Sequence, residues 1–570
     1  MFRYAMYLLI LVLMYSVRHV FALHPMSLFP VLAGVAAVLL MPRAKEAAKS
    51  FRRGGVILGY LFGFFTAAGN YTNYLSYNFS VFILRVLLYT AGLGTGFAVL
   101  LTVLFSAMDR SRMREGLGVR PFRSVFLSSF VGILVFWSPF FLIHYPGIFT
   151  DDSLWQLQQA LGDAALSNHH PVAHTLLLRL LCKAGGLLFP GDLTKTVAMM
   201  SVFQMIFLSA CWSFGIAKLY RMRFRPVFTV GTFVFFAIAP YNIVFSYTNI
   251  KDSWFAGSFF VFTVLLLELF LDSSDEACRT VSDRILMLLS AAGIGLFRSN
   301  GFYVLLAMLL VLLYPLWKRK SFLVLIAVAV LFCFLILGPV YRALEVTPVD
   351  TVEYLSVPLQ QIGRIYADGG TVETDDEALI AKVVNPALIA STYYPRISDN
   401  MKNLIRSAGD QTAISNEPGA FLFMWLRLLS KNPVSCLAAY ADLTSGFWYP
   451  ESYGIPYVDN MVDNPYKLKT KCLLPSSIAE LSYLWTHSNN QRSDLGVLFS
   501  CGYYVWLVLI LFTYCWAKRS KLALMILPSV LLWGTLLLTT PVYGDLRYLY
   551  ALAVCVPLYI AAAVRAGKKN

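Results

Sequence analysis

Long apolar runs alternate with short polar segments along most of this chain. A membrane span needs about 20 apolar residues, and fourteen runs have or approach that length. They are 4–22, 27–41, 55–69, 83–107, 124–144, 197–217, 227–249, 253–272, 285–298, 301–317, 321–340, 496–516, 521–540 and 546–564. Three of them, 27–41, 55–69 and 285–298, are short. The pattern predicts an all-α polytopic membrane protein with about 14 transmembrane helices.

The basic residues between these runs indicate an orientation. Six clusters hold 23 of the 46 lysines and arginines, at 43–53, 110–123, 218–225, 318–320, 518–521 and 565–569. With fourteen spans and both termini in the cytoplasm, every cluster faces the cytoplasm, as the positive-inside rule requires. We therefore predict a multi-pass protein of the cell (plasma) membrane with both termini cytoplasmic.

One further apolar segment, 172–190, is interrupted by Arg179 and Lys183. Counting it as a span would turn every later basic cluster outward. It is therefore predicted to be an interfacial helix on the outer surface, preceded by another at 153–166.

The composition agrees with a membrane protein. Hydrophobic residues make up 58% of the chain and charged residues 14%, whereas about a quarter of a soluble domain is charged. The net charge of +15 would suggest nucleic acid in a soluble protein, but cytoplasmic loops explain it here, so no nucleic-acid partner is expected. The cysteines form no CxxC pair, so neither a zinc site nor a disulfide framework is indicated.

The spans and loops suggest four regions. They are accessory N-terminal transmembrane helices (1–123), a transmembrane module with outer interfacial helices at 153–190 (124–340), an extracytoplasmic domain (341–495) and C-terminal transmembrane helices (496–570). The outer domain holds 17 of the 31 acidic residues against 12 basic ones, a charge balance opposite to that of the cytoplasmic loops. It is predicted to be large and mostly helical.

Ionisable residues at membrane depth are unfavourable, so they usually mark a pathway or a reaction site. In this chain they gather at the predicted outer ends of the spans. The candidate site residues are Asp151, Asp152, His169, His170, Lys251, Asp252, Arg298, Asp545, Arg547 and Tyr548.

The adjacent acids Asp151 and Asp152 open an amphipathic run after a Tyr-Pro-Gly turn. Capping of a helix by Thr150, Asp151 or Ser153 explains one acid but not two. A carboxylate here is suited to act as general base for an acceptor hydroxyl. A divalent cation is also compatible with the pair, although two acids alone are a weak metal signature.

His170 and His174 have the i, i+4 spacing of zinc ligands, but no third ligand is evident, so no metal site is assigned. Contact of His169 or His170 with phosphate or sugar, or a structural role in the turn, are the other interpretations.

The basic residues Lys251, Arg298 and Arg547 are predicted to lie at one depth. Snorkelling explains a lysine at a span end, and Asp252 is a plausible helix cap. Arg298, however, lies in a very short hairpin between two apolar runs. Three such charges suit a phosphate or pyrophosphate headgroup, to which arginine binds bidentately.

Together these features resemble the GT-C superfamily of polytopic glycosyltransferases, which use polyprenyl-phosphate sugar donors. In that superfamily an acidic residue lies in the first outer loop of the catalytic module, and two interfacial helices follow. Asp151 and Asp152, the two interfacial segments and His170-Pro171 match this order. Lys251-Asp252 matches a later acidic outer loop, and Asp545-Leu546-Arg547-Tyr548 matches a Glu/Asp-x-Arg-Tyr motif.

The resemblance covers 124–345 and 496–564. It extends to an uncharacterised bacterial family of this type with a similar DD/HHP stretch, a PLQQ-x-x-R segment and an outer FWYP segment. The chain departs from the superfamily pattern in its four extra N-terminal spans, its His-His-Pro-Val start and its large domain inserted before the last three spans.

The resemblance implies a membrane glycosyltransferase of the cell envelope, inverting or at least dependent on a lipid phosphate, with an active site on the outer face of the bilayer. It implies that Asp151 or Asp152 is the base and that Lys251, Arg298 and Arg547 hold the donor phosphate. The acceptor is a glycan, lipid or protein. A polysaccharide ligase or polymerase that uses lipid-linked glycans is an alternative, and a lipid-linked-oligosaccharide transporter is a second one.

Overall fold

The structure is a computed structural model, which describes residues 2–110, 116, 120–271, 280–315, 317, 320–450, 460–487 and 498–567. Within these residues the regular elements are helices, and β-pairing is limited to isolated bridges. The predicted all-α class is therefore confirmed for the described part of the chain.

The helices fall into four groups along the sequence. The first group is α1 (Phe2–Val20), α2 (Phe29–Glu46), α3 (Lys49–Gly69) and α4 (Phe79–Arg110). The second is α5 (Phe122–Ile143), α6 (Asp151–Leu161), α7 (Val172–Leu188), α8 (Leu193–Arg221), α9 (Pro226–Ile238), α10 (Pro240–Tyr247), α11 (Lys251–Leu271), α12 (Val281–Phe297), α13 (Ser299–Leu313) and α14 (Lys320–Leu335).

The third group lies in the predicted outer domain. It comprises α15 (Tyr341–Ala343), α16 (Ser356–Ala367), α17 (Thr374–Val383), α18 (Ile389–Thr392), α19 (Asp399–Ala408), α20 (Thr412–Asn416), α21 (Pro418–Lys431), α22 (Pro433–Thr444) and α23 (Ser476–His487). The last group is α24 (Cys501–Ala517), α25 (Ala523–Thr539), α26 (Tyr550–Val554) and α27 (Val556–Ala566).

A helix occupies each of the fourteen apolar runs over the residues that the structure describes. Among them, six are long and apolar enough to cross a membrane: α4, α5, α8, α11, Lys320–Ala343 and Leu546–Ala566. The pair α9 and α10, bent by 53°, makes a seventh if it is one span. The bend follows from Pro240, which lacks an N–H and disfavours helical backbone at Ala239, whose ψ is 124°.

Segment 172–190, predicted to be an interfacial helix, forms α7 between Val172 and Leu188. This helix buries its face with His174 and Leu178, and exposes a stripe with Leu176, Leu180 and Leu187. An apolar stripe left uncovered on a short helix is the pattern expected at a lipid interface.

The small residues of the N-terminal helices allow two backbones to approach closely. A Cβ at Gly59 of α3 would lie 2.4 Å from the backbone N of Ala98 on α4, and one at Gly63 would lie 2.5 Å from that of Gly94. Only glycine fits where two helix backbones are this close.

Five of the six basic clusters, or residues directly next to them, meet at one end of the helix bundle. The sixth, 318–320, lies mostly outside the described residues. The contacts that link the five are Phe51 with Tyr514, Asp109 with Lys518, Gly116 with Arg223, and Met222 with Arg565. At the same end, Lys218 Nζ of α8 lies 2.6 Å from Glu268 Oε2 of α11. Lys251, at the other end of α11, is 17 residues away from Glu268, or about 25 Å along a helix.

At the end of the bundle marked by Lys251, four isolated bridges join loops that are distant in sequence. They are Tyr145 with Lys471, Ile148 with Thr248, Ser167 with Thr347, and Ile397 with Val542. The residues between 352 and 436 have a hydrophobic core of their own. This part of the chain is therefore a folded unit that is attached to the loops at one end of the bundle.

We expect Gly59→Ala to lower the thermal unfolding midpoint of the detergent-solubilised protein, because the new methyl group meets rigid backbone of α4 and overpacking typically costs about 1–3 kcal/mol. Gly231→Ala on α9 is the matched control, since no atom lies within 4 Å of its Cβ position. Equal midpoints for the two variants would show that the α3–α4 contact is not as close as described.

Candidate functional site

Two loops that carry predicted site residues are held side by side by their backbones. Ile148 N donates to Tyr247 O at 3.1 Å, and Asn249 N donates to Ile148 O at 2.8 Å. Gly147 permits this approach: its φ is +109°, and a Cβ there would lie 1.9 Å from Ser201 Oγ. The start of α6 is thereby placed beside the start of α11.

Helix α6 begins at Asp151 and ends at Leu161, so the predicted range of 153–166 was wrong at both ends. The start is set by Thr150 and Ser153, which form a capping box in which Thr150 N donates to Ser153 Oγ at 2.8 Å. The end is set by Gly162, whose left-handed φ of 96° terminates the helix. Because Thr150 and Ser153 form the cap, Asp151 and Asp152 are left for other contacts.

Asp152 is the centre of the site. Lys251 Nζ donates to Asp152 Oδ2 at 3.0 Å, and Arg547 Nη1 donates to the same oxygen at 3.1 Å. Lys251 Nζ also lies 3.1 Å from His170 Nδ1, and His170 Nε2 is 3.8 Å from Asp152 Oδ1. One carboxylate thus joins α6, the loop with His170-Pro171, α11 and the start of the last helical segment, Leu546–Ala566.

A second ion pair lies beside the first. Arg298 Nη1 donates to Asp252 Oδ1, and the two side chains are only 7% and 3% exposed. The Arg298 guanidinium stacks over the Tyr548 ring at 4.7 Å, and its Nη1 is 3.4 Å from Arg547 O. The burial expected for Arg298 between two apolar runs is therefore seen, and Asp252 is its partner.

Arg547 has a second carboxylate partner, Asp545, which lies two residues before it in the chain. Its Nε lies 2.7 Å from Asp545 Oδ2, and Asp545 Oδ1 accepts from the Arg547 backbone N at 3.0 Å. Three cations, Lys251, Arg298 and Arg547, thus face three carboxylates, and the cluster is close to neutral overall.

The hydrogen bonds named so far do not use every N–H donor of these cations. Lys251 has three N–H donors, and Asp152 and His170 take two of them. Both hydrogen bonds of Arg298 described above come from Nη1. Lys251 and Arg298 therefore each have N–H groups that these contacts do not use.

The pKa values of the two central groups outside the spans are strongly shifted. Burial raises the pKa of the Asp152 carboxyl, but the charges of Lys251 and Arg547 outweigh it and hold this pKa well below its ordinary value. The stability that Asp152 contributes is thus complete above the ordinary carboxyl pKa of about 3.9 and is lost as the pH falls toward the lowered value. Burial and Lys251 lower the pKa of His170 to about 2, so His170 is a neutral acceptor at physiological pH.

Above this cluster lies a pocket of about 430 Å³. The residues that line it are Asp151, Asp152, Trp155, Ser167, His169, His170, Thr347, Pro348, Asp350 and Arg406. Asp151 is exposed on its wall, and His169 lies at the edge with Nδ1 3.8 Å from Glu353 Oε1. All ten predicted site residues therefore lie in the ion-pair cluster or in the pocket next to it.

His174 does not join His170 in a metal site. Its ring is fully buried and its Nδ1 lies 2.8 Å from Gln156 Oε1, while burial and Lys251 lower its pKa to about 3. Over the described residues there is no group of three or more histidine, cysteine or carboxylate side chains that could hold a metal ion.

Six of the pocket residues were not predicted from the sequence, and Trp155, Asp350 and Arg406 are the aromatic and charged ones among them. Trp155 follows Asp151 by one helical turn, a spacing that places the two on one face of α6 and was available in the sequence. Asp350 and Arg406 belong to the domain after α14, and no local pattern indicates which of its charged residues reach the site.

Comparison with known proteins finds a matching family. No curated protein and no solved structure matches the chain significantly. Residues 160–570 match a family that is described as "Family of unknown function (DUF6020)", and this range includes Lys251, Arg298 and Arg547 but begins after Asp151 and Asp152. The chain belongs to this family of unknown function, DUF6020.

Proposed function

We propose that this protein is a GT-C-like membrane glycosyltransferase that moves a sugar from a polyprenyl-phosphate donor to an acceptor on the outer face of the plasma membrane. The acceptor is a glycan, lipid or protein of the cell envelope. In this proposal about 14 helices cross the bilayer, and both termini are cytoplasmic.

The observation that carries the proposal is the contact between two chemically different halves of one site. One half, called the basic half, holds the cations Lys251, Arg298 and Arg547 among the ends of the apolar helices. Asp152, Asp252 and Asp545 balance these charges, so this half offers cations but no net positive charge. The pocket with Asp151 and Asp152 forms a carboxylate-rich half directly beside it. A lipid phosphate fits the basic half, and an acceptor hydroxyl that must lose a proton fits the carboxylate half.

The contacts favour Asp151 as the base. Asp152 is held by two cations, and a carboxylate with a strongly lowered pKa is a weak proton acceptor. Asp151 is exposed on the pocket wall, and no ion pair is found for it among the described contacts. Asp152 is therefore a positioning residue that holds Lys251 and Arg547 in place.

The reaction is a single displacement at the anomeric carbon. The acceptor oxygen forms a bond to this carbon while its proton passes to Asp151. The bond between the carbon and the donor phosphate oxygen breaks, and the electron pair stays on the phosphate. Lys251 and Arg547 stabilise the negative charge that develops there in the transition state.

The position of the charges supports an enzyme at one membrane face over a transporter. Charged residues of α11 lie near its ends, at Lys251, Asp252 and Glu268, and the stretch between them is apolar. In α8 the residues 196–217 likewise carry no charge. A transport path for a charged headgroup would be expected to have polar groups across the bilayer.

We expect the domain at 341–495 to be outside the cell and the basic end of the bundle to be inside. Single cysteines at Asp375 and Glu417, in a protein without the nine native cysteines, should react with a membrane-impermeant maleimide in intact cells. Cysteines at Arg43 and Lys521 should react only after permeabilisation. Labelling of position 43 or 521 in intact cells would contradict the orientation.

We expect Asp151→Asn to reduce sugar transfer from a labelled polyprenyl-phosphate donor by about 10²–10⁴-fold, because asparagine keeps the shape but cannot accept the proton. Donor binding should persist in this variant. Asp152→Asn should weaken donor binding as well, because Lys251 and Arg547 lose their common partner.

Asp192→Asn is the matched control. Asp192 is the partly exposed N-cap of α8 and its side chain accepts from Lys195 N, a role that asparagine can fill. Wild-type transfer by Asp151→Asn, by Asp152→Asn and by the double variant would exclude this carboxylate pair from the chemistry.

A further inference from the structure

Trp155 is an exposed aromatic residue inside a polar pocket. Its side chain is 45% exposed on α6, on the same helical face as Asp151, and both residues line the pocket above the ion-pair cluster. The neighbouring residues Leu154 and Leu157 are buried in the hydrophobic core between α6, α7 and α8. The helix is therefore fixed by its buried face while the indole is presented to the pocket.

Another part of the pocket wall comes from the predicted outer domain and is also fixed. Asn168 N donates to Thr347 O at 2.9 Å, and Thr347 N donates to Leu166 O at 2.9 Å. These hydrogen bonds attach the start of that domain to the loop that precedes His170-Pro171. A pocket made from two such parts keeps its shape only if both are anchored.

Arg406 anchors the outer wall through its carboxylate partners. Arg406 Nε lies 3.0 Å from Asp350 Oδ2, and its Nη2 donates to Glu353. The fully buried Lys402 holds Glu353 from the other side at 3.0 Å. The wall is thus preorganised, which lowers the entropic cost of ligand binding.

The charges in the pocket select the class of ligand. Asp151, Asp152 and Asp350 supply three carboxylates, and Arg406 already pairs with Asp350. Lys251 and Arg547 balance Asp152. No ion pair is found for Asp151 among the described contacts, so the pocket lining offers no unpaired cation to an anion. An uncharged ligand with many hydroxyl groups would find acceptors in the carboxylates and a flat apolar surface in the Trp155 ring.

We propose that this pocket is a carbohydrate subsite in which Trp155 stacks on the C–H face of a pyranose ring and Asp350 accepts hydrogen bonds from its hydroxyl groups. The volume of about 430 Å³ lies within the range of about 300–1,000 Å³ found for small-molecule pockets. That this ring belongs to the acceptor rests on the proposed glycosyltransferase function, whereas binding of the sugar does not require transfer.

A tryptophan near a membrane surface also serves as an interfacial anchor. An anchor would contact lipid headgroups, and its replacement would change membrane insertion or stability but not sugar binding. The indole of Trp155 instead shares a pocket with Thr347, Pro348 and Arg406 from a distant part of the chain.

The test is saturation-transfer-difference NMR on the full-length protein in lipid nanodiscs. The probes are neutral disaccharides of glucose, galactose, mannose and N-acetylglucosamine. For at least one probe we expect saturation of the ring C–H protons by the wild-type protein and at least a tenfold weaker affinity for Trp155→Ala. Trp155→Phe should retain part of the affinity because it keeps an aromatic face, and Asp350→Asn should weaken it.

Trp516→Ala is the matched control, because Trp516 is 51% exposed on α24 and lies outside the pocket. It should bind the probe like the wild type. Absence of saturation for every probe, or equal affinity in Trp155→Ala and the wild type, would overturn the subsite.

Sugar transfer is measured separately, so the two proposals fail independently. Sugar binding that depends on Trp155, without any transfer from polyprenyl-phosphate donors, supports the subsite and rejects the proposed function. Transfer with an unchanged acceptor KM in Trp155→Ala supports the function and rejects the subsite.

Discussion

The carboxylate of Asp152, shared between Lys251 and Arg547, is the contact on which the site depends. It joins residues that are about 100 and about 400 positions apart in the chain. Without it Lys251 would have no carboxylate partner among the described contacts and Arg547 would keep only Asp545. A partly buried charge that loses its partner is destabilising. Asp152 therefore sets the position of both cations before any ligand binds.

The site divides into a basic and a carboxylate-rich half because different parts of the chain build them. The basic half comes from the ends of α11, α12 and the last helical segment, where surrounding apolar residues favour paired ions. The other half lies between α6 and the domain after α14, where solvent reaches Asp151 and Trp155. An anionic headgroup and a neutral polyhydroxylated molecule can thus meet at one place.

Much of the helical framework and the convergence of the charged loops followed from the sequence alone, because apolar runs and charges at their ends are local patterns. The burial of Arg298 between two apolar runs is such a case. The partners of these charges did not follow, since nothing local pairs Arg298 with Asp252 or brings Arg406 to the pocket. In the described residues, six helices, or seven with the bent pair, are long and apolar enough to cross a membrane. This is fewer than the fourteen apolar runs, because helices such as α12 and α13 have only 17 and 15 residues and Pro240 breaks the run at 227–249.

The most direct measurement is a cryo-electron microscopy structure of the protein in nanodiscs with a bound polyprenyl-phosphate lipid. We expect phosphate density within hydrogen-bonding distance of Lys251 and Arg547, with Arg298 next to it and the Asp151 pocket open beside the headgroup. Phosphate density at the opposite end of the bundle, near Lys218 and Glu268, or a lipid that binds without contacting Lys251 and Arg547, would contradict a phosphate site organised by Asp152.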